Sequence, residues 1–126
     1  MAQTILLVED APSSRKMLSF TLTKAGYEVV EAEDGRDALK KLQDLRVNLF
    51  ITDVHMPQMD GLSFVRELRK NPRHGSTPVI LLTSDSTDPV KDEGKVLGIA
   101  AWIGKPYRAE RLLELVKKVL QQGSGK

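Results

Sequence analysis

The sequence predicts an α/β protein in which a parallel sheet carries helices on both of its faces. Five short apolar runs alternate with segments of helical periodicity, and runs of this length are typical of strands that are buried on both sides. Strands that alternate with helices pair in parallel, and their connections are right-handed. The chain has 126 residues, which is enough for one domain with a proper core.

The predicted elements follow one another in a regular order. The strands are rich in Ile, Val, Leu, Phe or Trp and cover residues 4–8, 27–31, 48–52, 78–83 and 101–104. Four helices are predicted by apolar stripes, namely Leu18, Thr21, Leu22 and Ala25; Ala38, Leu39 and Leu42 within 35–45; Leu62, Val65 and Leu68 within 61–70; and Leu112, Leu115, Val116 and Val119. Pro12 and Gly26 mark the ends of the first helix, and Asp60 can cap the third.

The remaining helix, the fourth in chain order, lies between the fourth and fifth strands. Asp88-Pro89 is a good start signal and Gly98 a stop signal, but Gly94 falls inside the helix. An interior glycine costs about 1 kcal/mol relative to alanine. We therefore expect this helix to be the least stable of the five. The glycine is either simply tolerated or part of an element that shifts.

Composition and charge exclude several classes of function. A net charge of +2, without a polybasic tract or an aromatic and basic stripe, predicts no nucleic-acid partner. Cysteine is absent, which excludes disulfides, thiolate metal sites and cysteine nucleophiles and fits a cytoplasmic location. We find no signal peptide and no apolar run of the roughly 20 residues that a membrane helix needs.

Polar residues stand at the carboxyl ends of four predicted strands. Glu9 and Asp10 follow the first strand, Asp53 follows the third, Thr83 closes the fourth, and Lys105 follows the fifth. Ligands of open parallel sheets bind beyond these ends, so we expect the five side chains to share one cleft. Three converging carboxylates would repel one another unless they shared a cation, and Mg²⁺ prefers such oxygen ligands.

These side chains together predict phosphoryl chemistry. Asp53 can act as a carboxylate nucleophile toward phosphorus, while a metal ion neutralises charge on the transferring group. Lys105 supplies a compact cation, and Thr83 supplies a hydroxyl that can donate to a phosphoryl oxygen.

Here the chain resembles the receiver domain of two-component response regulators over nearly its full length. The resemblance is carried by four motifs, which are Leu7-Val8-Glu9-Asp10, Asp53 with Met56-Pro57-Gln58-Met59-Asp60-Gly61, Leu82-Thr83-Ser84, and Lys105-Pro106-Tyr107. It implies a flavodoxin-like (βα)5 fold with strand order 2-1-3-4-5. We expect the receiver domain to cover residues 1–122, and the linker-like composition of Gly123-Ser124-Gly125-Lys126 predicts a flexible tail over residues 123–126.

The resemblance assigns a role to each site residue. Asp53 is implied to be the phosphoacceptor, with Thr83 and Lys105 binding the phosphoryl oxygens. Asp10, Asp53 and the main-chain carbonyl of His55 are implied to bind Mg²⁺ (or Mn²⁺ in its place), and Glu9 to act mostly through a metal-bound water.

The resemblance also implies a switch. Thr83 would move toward the phosphoryl group, and the aromatic residue three positions before the lysine would turn inward. That residue is Trp102, where Tyr or Phe is commoner; it is either a rotating switch or a fixed core anchor. The face built from the fourth helix, the fifth strand and the fifth helix would thereby be remodelled for a partner.

We therefore expect a signalling protein that is not a turnover enzyme but promotes its own phosphorylation and dephosphorylation. The chain ends at its fifth helix, so we expect a stand-alone regulator. Its partners would be a sensor histidine kinase and a protein target such as a flagellar motor component or a phosphorelay protein.

Three other functions fit only part of this pattern. A haloacid dehalogenase-type phosphatase needs a second acid two residues after the nucleophile, where this chain has His55. A flavodoxin needs a phosphate loop after the first strand, where this chain has Asp10-Ala11-Pro12-Ser13. A receiver fold that works without phosphorylation is disfavoured by the complete acidic, threonine and lysine set.

Overall fold

The structure is a computed structural model that describes residues 3–43, 45–54, 59–83, 95–105 and 107–124. Its strands are β1 (Thr4–Val8), β2 (Glu28–Ala32), β3 (Leu49–Asp53), β4 (Val79–Thr83) and β5 (Ala101–Gly104). Its helices are α1 (Pro12–Lys24), α2 (Gly35–Leu42), α3 (Gly61–Lys70) and the C-terminal helix (Ala109–Ser124).

The five strands form one sheet in the order β2-β1-β3-β4-β5, and every neighbouring pair is parallel. This confirms the predicted fold class and the strand order that the resemblance implied. The chain passes from β1 to β2 on one side and returns to β3 on the other, so the strand order reverses between β1 and β3. Val8 pairs with Thr52 in this register, which brings the carboxyl ends of the two central strands side by side.

Alternate residues of the strands form two apolar layers. On one face, Leu6 and Phe50 pack with α2 and α3, and the rings of Phe50 and Phe64 meet edge to face at 5.8 Å. On the other face, Leu7 and Ile51 pack with α1 and the C-terminal helix. Both faces of β3 and β4 are therefore covered, which explains why these strands read as continuous apolar runs in the sequence.

The predicted helix starts are confirmed by their capping contacts. Pro12 lies in the first turn of α1. The carboxylate of Asp60 accepts a hydrogen bond from the amide of Ser63 at 2.7 Å, and Asp34 accepts one from the amide of Asp37 at 2.8 Å.

Some predicted bounds were wrong by one to three residues. The second helix ends at Leu42 rather than residue 45, because the amide of Leu45 turns back to bond the carbonyl of Leu42 and ends the helical ladder. The third strand extends to Asp53, which still pairs with Leu82, so this carboxylate lies within the strand rather than after it.

The predicted fourth helix falls mostly outside the described residues. Residues 95–97 are helical, and the helix ends at Gly98 as predicted, with a positive φ of 72° that favours glycine. Among the residues that the structure describes, no helix is long and apolar enough to cross a membrane.

Candidate functional site

The polar residues predicted to converge do so at the carboxyl edge of the sheet. Carboxylate oxygens of Glu9, Asp10 and Asp53 lie within 4.8 Å of one another. Asp10 is exposed, whereas Glu9 and Asp53 are buried. Such a group of oxygens, on the two strands that flank the reversal of strand order, lies where ligands of open α/β sheets bind.

Lys105 is the cation of this cluster. Its Nζ lies 2.6 Å from Asp53 Oδ2 and 3.6 Å from Glu9 Oε1. Burial acts to lower the pKa of this ammonium, but its hydrogen bond to Asp53 and the charges of Asp53 and Glu9 raise the pKa above its usual value. Lys105 therefore stays protonated. Its amide donates to the carbonyl of Thr83 at 2.9 Å, which ties the end of β5 to the end of β4.

Glu9 has the least favourable environment for a charged carboxylate in the cluster. It is 2% exposed, and its Oε2 atom has no hydrogen-bond partner. Burial raises the pKa of Glu9 to about 7, aided by the hydrogen bond and charge of Asp53 and by the charge of Asp10, while Lys105 offsets only part of the effect.

The donor set fits a small divalent cation. A buried oxygen without a partner and three converging carboxylates are what a hard, oxygen-preferring ion such as Mg²⁺ satisfies. Among the described residues, Lys105 is the lysine that pairs with this cluster, and its single positive charge does not balance three carboxylates. His55, whose carbonyl was expected to be a further ligand, lies outside the described residues.

Gly61 positions Asp53, and sequence reasoning did not single it out for this role. A Cβ at this residue would lie 2.1 Å from the main-chain oxygen of Asp53. The amide of Gly61 donates to the carbonyl of Val54 at 2.8 Å, so the start of α3 packs directly on the end of β3. The only signal in the sequence was the Asp60-Gly61 pair at the predicted helix start.

Arg15 is a second contributor that sequence reasoning missed. One of its terminal nitrogens donates to the carbonyl of Glu9 at 2.9 Å, and its Nε lies 3.4 Å from Glu31 Oε1. The side chain therefore ties the segment that carries the acidic pair to β2. No pattern in the sequence pairs an arginine of the first helix with this carbonyl.

Thr83 and Trp102, the two residues of the predicted switch, both lie among the described residues. Thr83 is buried at the end of β4, beside Asp53 in the neighbouring strand. Trp102 is half-buried in β5 and packs against the apolar layer that contains α2 and α3. The rotation of Trp102 stays a prediction.

A groove opens from the cluster between α1 and the C-terminal helix. It encloses about 470 Å³ and is lined by Glu9, Lys105 and Tyr107 together with apolar side chains that include Met17 and Leu112. Burial raises the pKa of Tyr107 to about 12, with the charges of Glu9 and Asp53 adding to the effect. Its hydroxyl therefore stays protonated beside the acidic cluster.

Comparison with known families identifies the chain. The response regulator receiver domain family matches residues 5–117. The chain belongs to this family. Its members are signalling proteins of two-component systems, and receiver domains bind Mg²⁺ at an acidic site. Membership supports neither the phosphatase nor the flavodoxin alternative.

Individual relatives agree with this placement. CheY4 of Vibrio cholerae, a chemotaxis protein, is 41% identical with a TM-score of 0.90, over 94% of this chain and 99% of CheY4. The chemotaxis protein CheV3 of Helicobacter pylori is 35% identical over 95% of this chain, and this chain spans 42% of CheV3. The receiver domain of the sensor histidine kinase PA1611 from Pseudomonas aeruginosa is 26% identical with a TM-score of 0.87, over 96% of this chain and 99% of that domain, and has a magnesium ion coordinated in its active-site cleft.

Proposed function

We propose that this receiver accepts a phosphoryl group on Asp53 from the phosphohistidine of a sensor histidine kinase. The observation that carries the proposal is the convergence of Asp53 with two further carboxylates and with the ammonium of Lys105. A nucleophilic carboxylate beside a fixed cation and a cation-binding acidic pair is the donor set that phosphoryl transfer needs.

In the transfer step, an Asp53 carboxylate oxygen forms a bond to phosphorus while the bond between phosphorus and the histidine nitrogen breaks. The electron pair of that bond leaves with the imidazole, which is then protonated. Lys105 holds Asp53 Oδ2 at 2.6 Å before the reaction, and it offers its protons to phosphoryl oxygens afterwards. The hydroxyl of Thr83 is the second proposed donor to those oxygens.

Glu9, Asp10 and Asp53 would hold Mg²⁺, with the His55 carbonyl as a further ligand and Mn²⁺ as a substitute, and the bound ion would neutralise charge on the phosphoryl oxygens. The raised pKa of Glu9 supports this assignment. Burial and the neighbouring carboxylates disfavour its ionised form, the ammonium of Lys105 offsets only part of that effect, and a bound cation would favour the ionised form.

The signal would leave the site through Thr83 and Trp102. Phosphorylation adds about −1.5 to −2 charges and three strong acceptors beside these strand ends. We propose that Thr83 moves toward them and that Trp102 changes its packing. The face expected from the predicted fourth helix, β5 and the C-terminal helix would then bind a protein target, such as a flagellar motor component or a phosphorelay protein, in the cytoplasm.

The surface beside the site supports a protein as the phosphoryl donor. On α1, Met17 is 71% exposed and Phe20 is 67% exposed, and Met17 also lines the groove that reaches Lys105. Large apolar side chains that stay in water near a reactive carboxylate are typical of a surface that a partner covers.

The test is phosphorylation by acetyl phosphate with Mg²⁺, followed at once by measurement of the intact mass. We expect one added phosphoryl group on the wild-type chain, none on Asp53→Asn, none with EDTA, and an unchanged extent on Asp37→Asn, a half-buried aspartate in the first turn of α2 that lies outside the acidic cluster. Absence of the adduct together with absence of Mg²⁺-dependent phosphate release would contradict the proposal. It would favour a receiver that binds partners without phosphorylation.

A further inference from the structure

Arg69, in the last turn of α3, binds four main-chain carbonyls. Its Nε donates to the carbonyl of Leu97 at 2.8 Å, and one terminal nitrogen donates to those of His74 at 3.0 Å and Thr77 at 2.8 Å. The other terminal nitrogen donates to the carbonyl of Gly98 at 3.3 Å. One guanidinium therefore joins α3 to the loop before β4 and to the segment before β5.

Main-chain dipoles stabilise the charge of this guanidinium. Over the described ranges, no carboxylate lies within ion-pair distance of Arg69, and burial lowers its pKa. Four carbonyl oxygens accept from it instead, which uses the planar arrangement of five N–H donors that only arginine has. A lysine at the same position would keep the charge but could not span both segments with this geometry.

The segment that Arg69 holds leads directly to Trp102. Leu97 and Ile99 pack against the same apolar layer as Trp102. The amide of Ala100 donates to the carbonyl of Val79 at 2.9 Å, which fixes the other end of the segment to β4. Between these two attachments the chain turns at Gly98, whose φ is positive.

We propose that Arg69 is a positioning residue for the switch. It fixes residues 97–100 against α3, so that Trp102 keeps one packing environment until Asp53 is phosphorylated. This inference rests on the proposed function, because it assigns to Arg69 the task of holding the resting form of the proposed docking face. The positioning acts through the main chain and does not touch the phosphorylation site.

The test compares Arg69→Gln and Arg69→Lys with Lys70→Gln. Lys70 is the next residue of the same helical turn and is exposed, and Lys70→Gln removes the same charge as Arg69→Gln. Trp102 is the sole tryptophan, so emission excited at 295 nm reports on it alone. Hydrogen exchange of the Gly98 and Ala100 amides reports on the segment directly, with Leu6 in β1 as the internal reference.

We expect both Arg69 variants to speed exchange at Gly98 and Ala100 by about tenfold or more, because charge-assisted hydrogen bonds are lost, and to speed exchange at Leu6 by no more than the same factor. We also expect their resting Trp102 emission to move toward the phosphorylated value and its response to acetyl phosphate to fall by more than half. The extent of Asp53 labelling should stay at the wild-type level, and Lys70→Gln should match the wild type throughout.

Three results would overturn the inference. The first is wild-type exchange at Gly98 and Ala100 in both Arg69 variants, which would mean that the four carbonyl contacts do not hold the segment. The second is wild-type emission and response in Arg69→Gln. The third is wild-type behaviour of Arg69→Lys, which would mean that charge rather than geometry matters. If the wild-type chain took no phosphoryl group, the proposed function would fail. The exchange rates and the resting emission of the Arg69 variants would still show whether Arg69 holds the segment before β5.

Discussion

Gly61→Ala is the substitution that most sharply probes how the fold holds Asp53. The added Cβ would lie 2.1 Å from the Asp53 oxygen and 3.0 Å from its carbonyl carbon. Carbon and oxygen approach to about 3.3 Å in the closest favourable contacts, so one of the two elements must move by roughly 1 Å. The obstacle is main chain in a buried strand, which cannot rotate away as a side chain can.

The expected loss of stability follows from these contacts. Overpacking costs about 1–3 kcal/mol, and loss of the Gly61–Val54 hydrogen bond adds about 1 kcal/mol. The better helix propensity of alanine recovers at most about 1 kcal/mol. We therefore expect Gly61→Ala to lower the free energy of unfolding by about 3 kcal/mol, which corresponds to roughly 10 °C in Tm for a chain of this size.

Urea and thermal unfolding of Gly61→Ala, followed by circular dichroism, measure this loss, and Gly75→Ala is the matched control. A Cβ at Gly75 meets its nearest atoms at 3.8 and 3.9 Å, so we expect a change within about 0.5 kcal/mol. Gly61→Ala should also slow the labelling of Asp53, because the strand end carries this carboxylate. A stability of Gly61→Ala within about 0.5 kcal/mol of wild type would refute the reasoning.

Three further predictions concern charge. Lys105→Met should tighten Mg²⁺ binding about tenfold in a Trp102 fluorescence titration, because the competing ammonium beside Asp53 is lost; weaker binding would contradict this. Mg²⁺ at 100 times the wild-type Kd should raise the free energy of unfolding of the wild-type chain by about 2.7 kcal/mol in thermal melts. An equal gain in Asp10→Asn at the same Mg²⁺ concentration would exclude Asp10 as a ligand. Burial, and then the charge of Arg73, lower the pKa of His74 below its ordinary 6.5, so the unfolded chain binds the proton more readily. Stability should be full above about pH 6.5 and fall as the pH drops toward the folded pKa; urea titrations at several pH values should show a shallower fall in His74→Gln, and equal slopes would contradict the assignment.

Much of the fold and the site could be predicted because both depend on local patterns. The apolar runs that became β3 and β4 are buried on both faces, and the stripe of α3 with its Asp60 cap is read directly from spacing. Once the strands are parallel, Asp53 and Lys105 lie at the same edge of the sheet, since every carboxyl end lies there. The order of the strands came from the resemblance rather than from periodicity.

What could not be predicted depends on how loops and helix ends approach one another. The four carbonyls that Arg69 binds come together only in the folded chain, and no spacing in the sequence predicts that they will. The same holds for Arg15 and the carbonyl of Glu9. The end of α2 was placed too late because the apolar side chain of Leu45 continued the helical stripe, while its amide in fact turns back to Leu42.

The central claim, that Asp53 is the phosphoacceptor, is tested most directly by locating the phosphoryl group. The chain is treated with acetyl phosphate and Mg²⁺, the acyl phosphate is reduced with borohydride to convert the modified aspartate to homoserine, and the peptides are sequenced by mass spectrometry. Our account predicts homoserine at position 53 and unmodified carboxylates at Glu9 and Asp10. Homoserine at another aspartate, with position 53 intact, would contradict it.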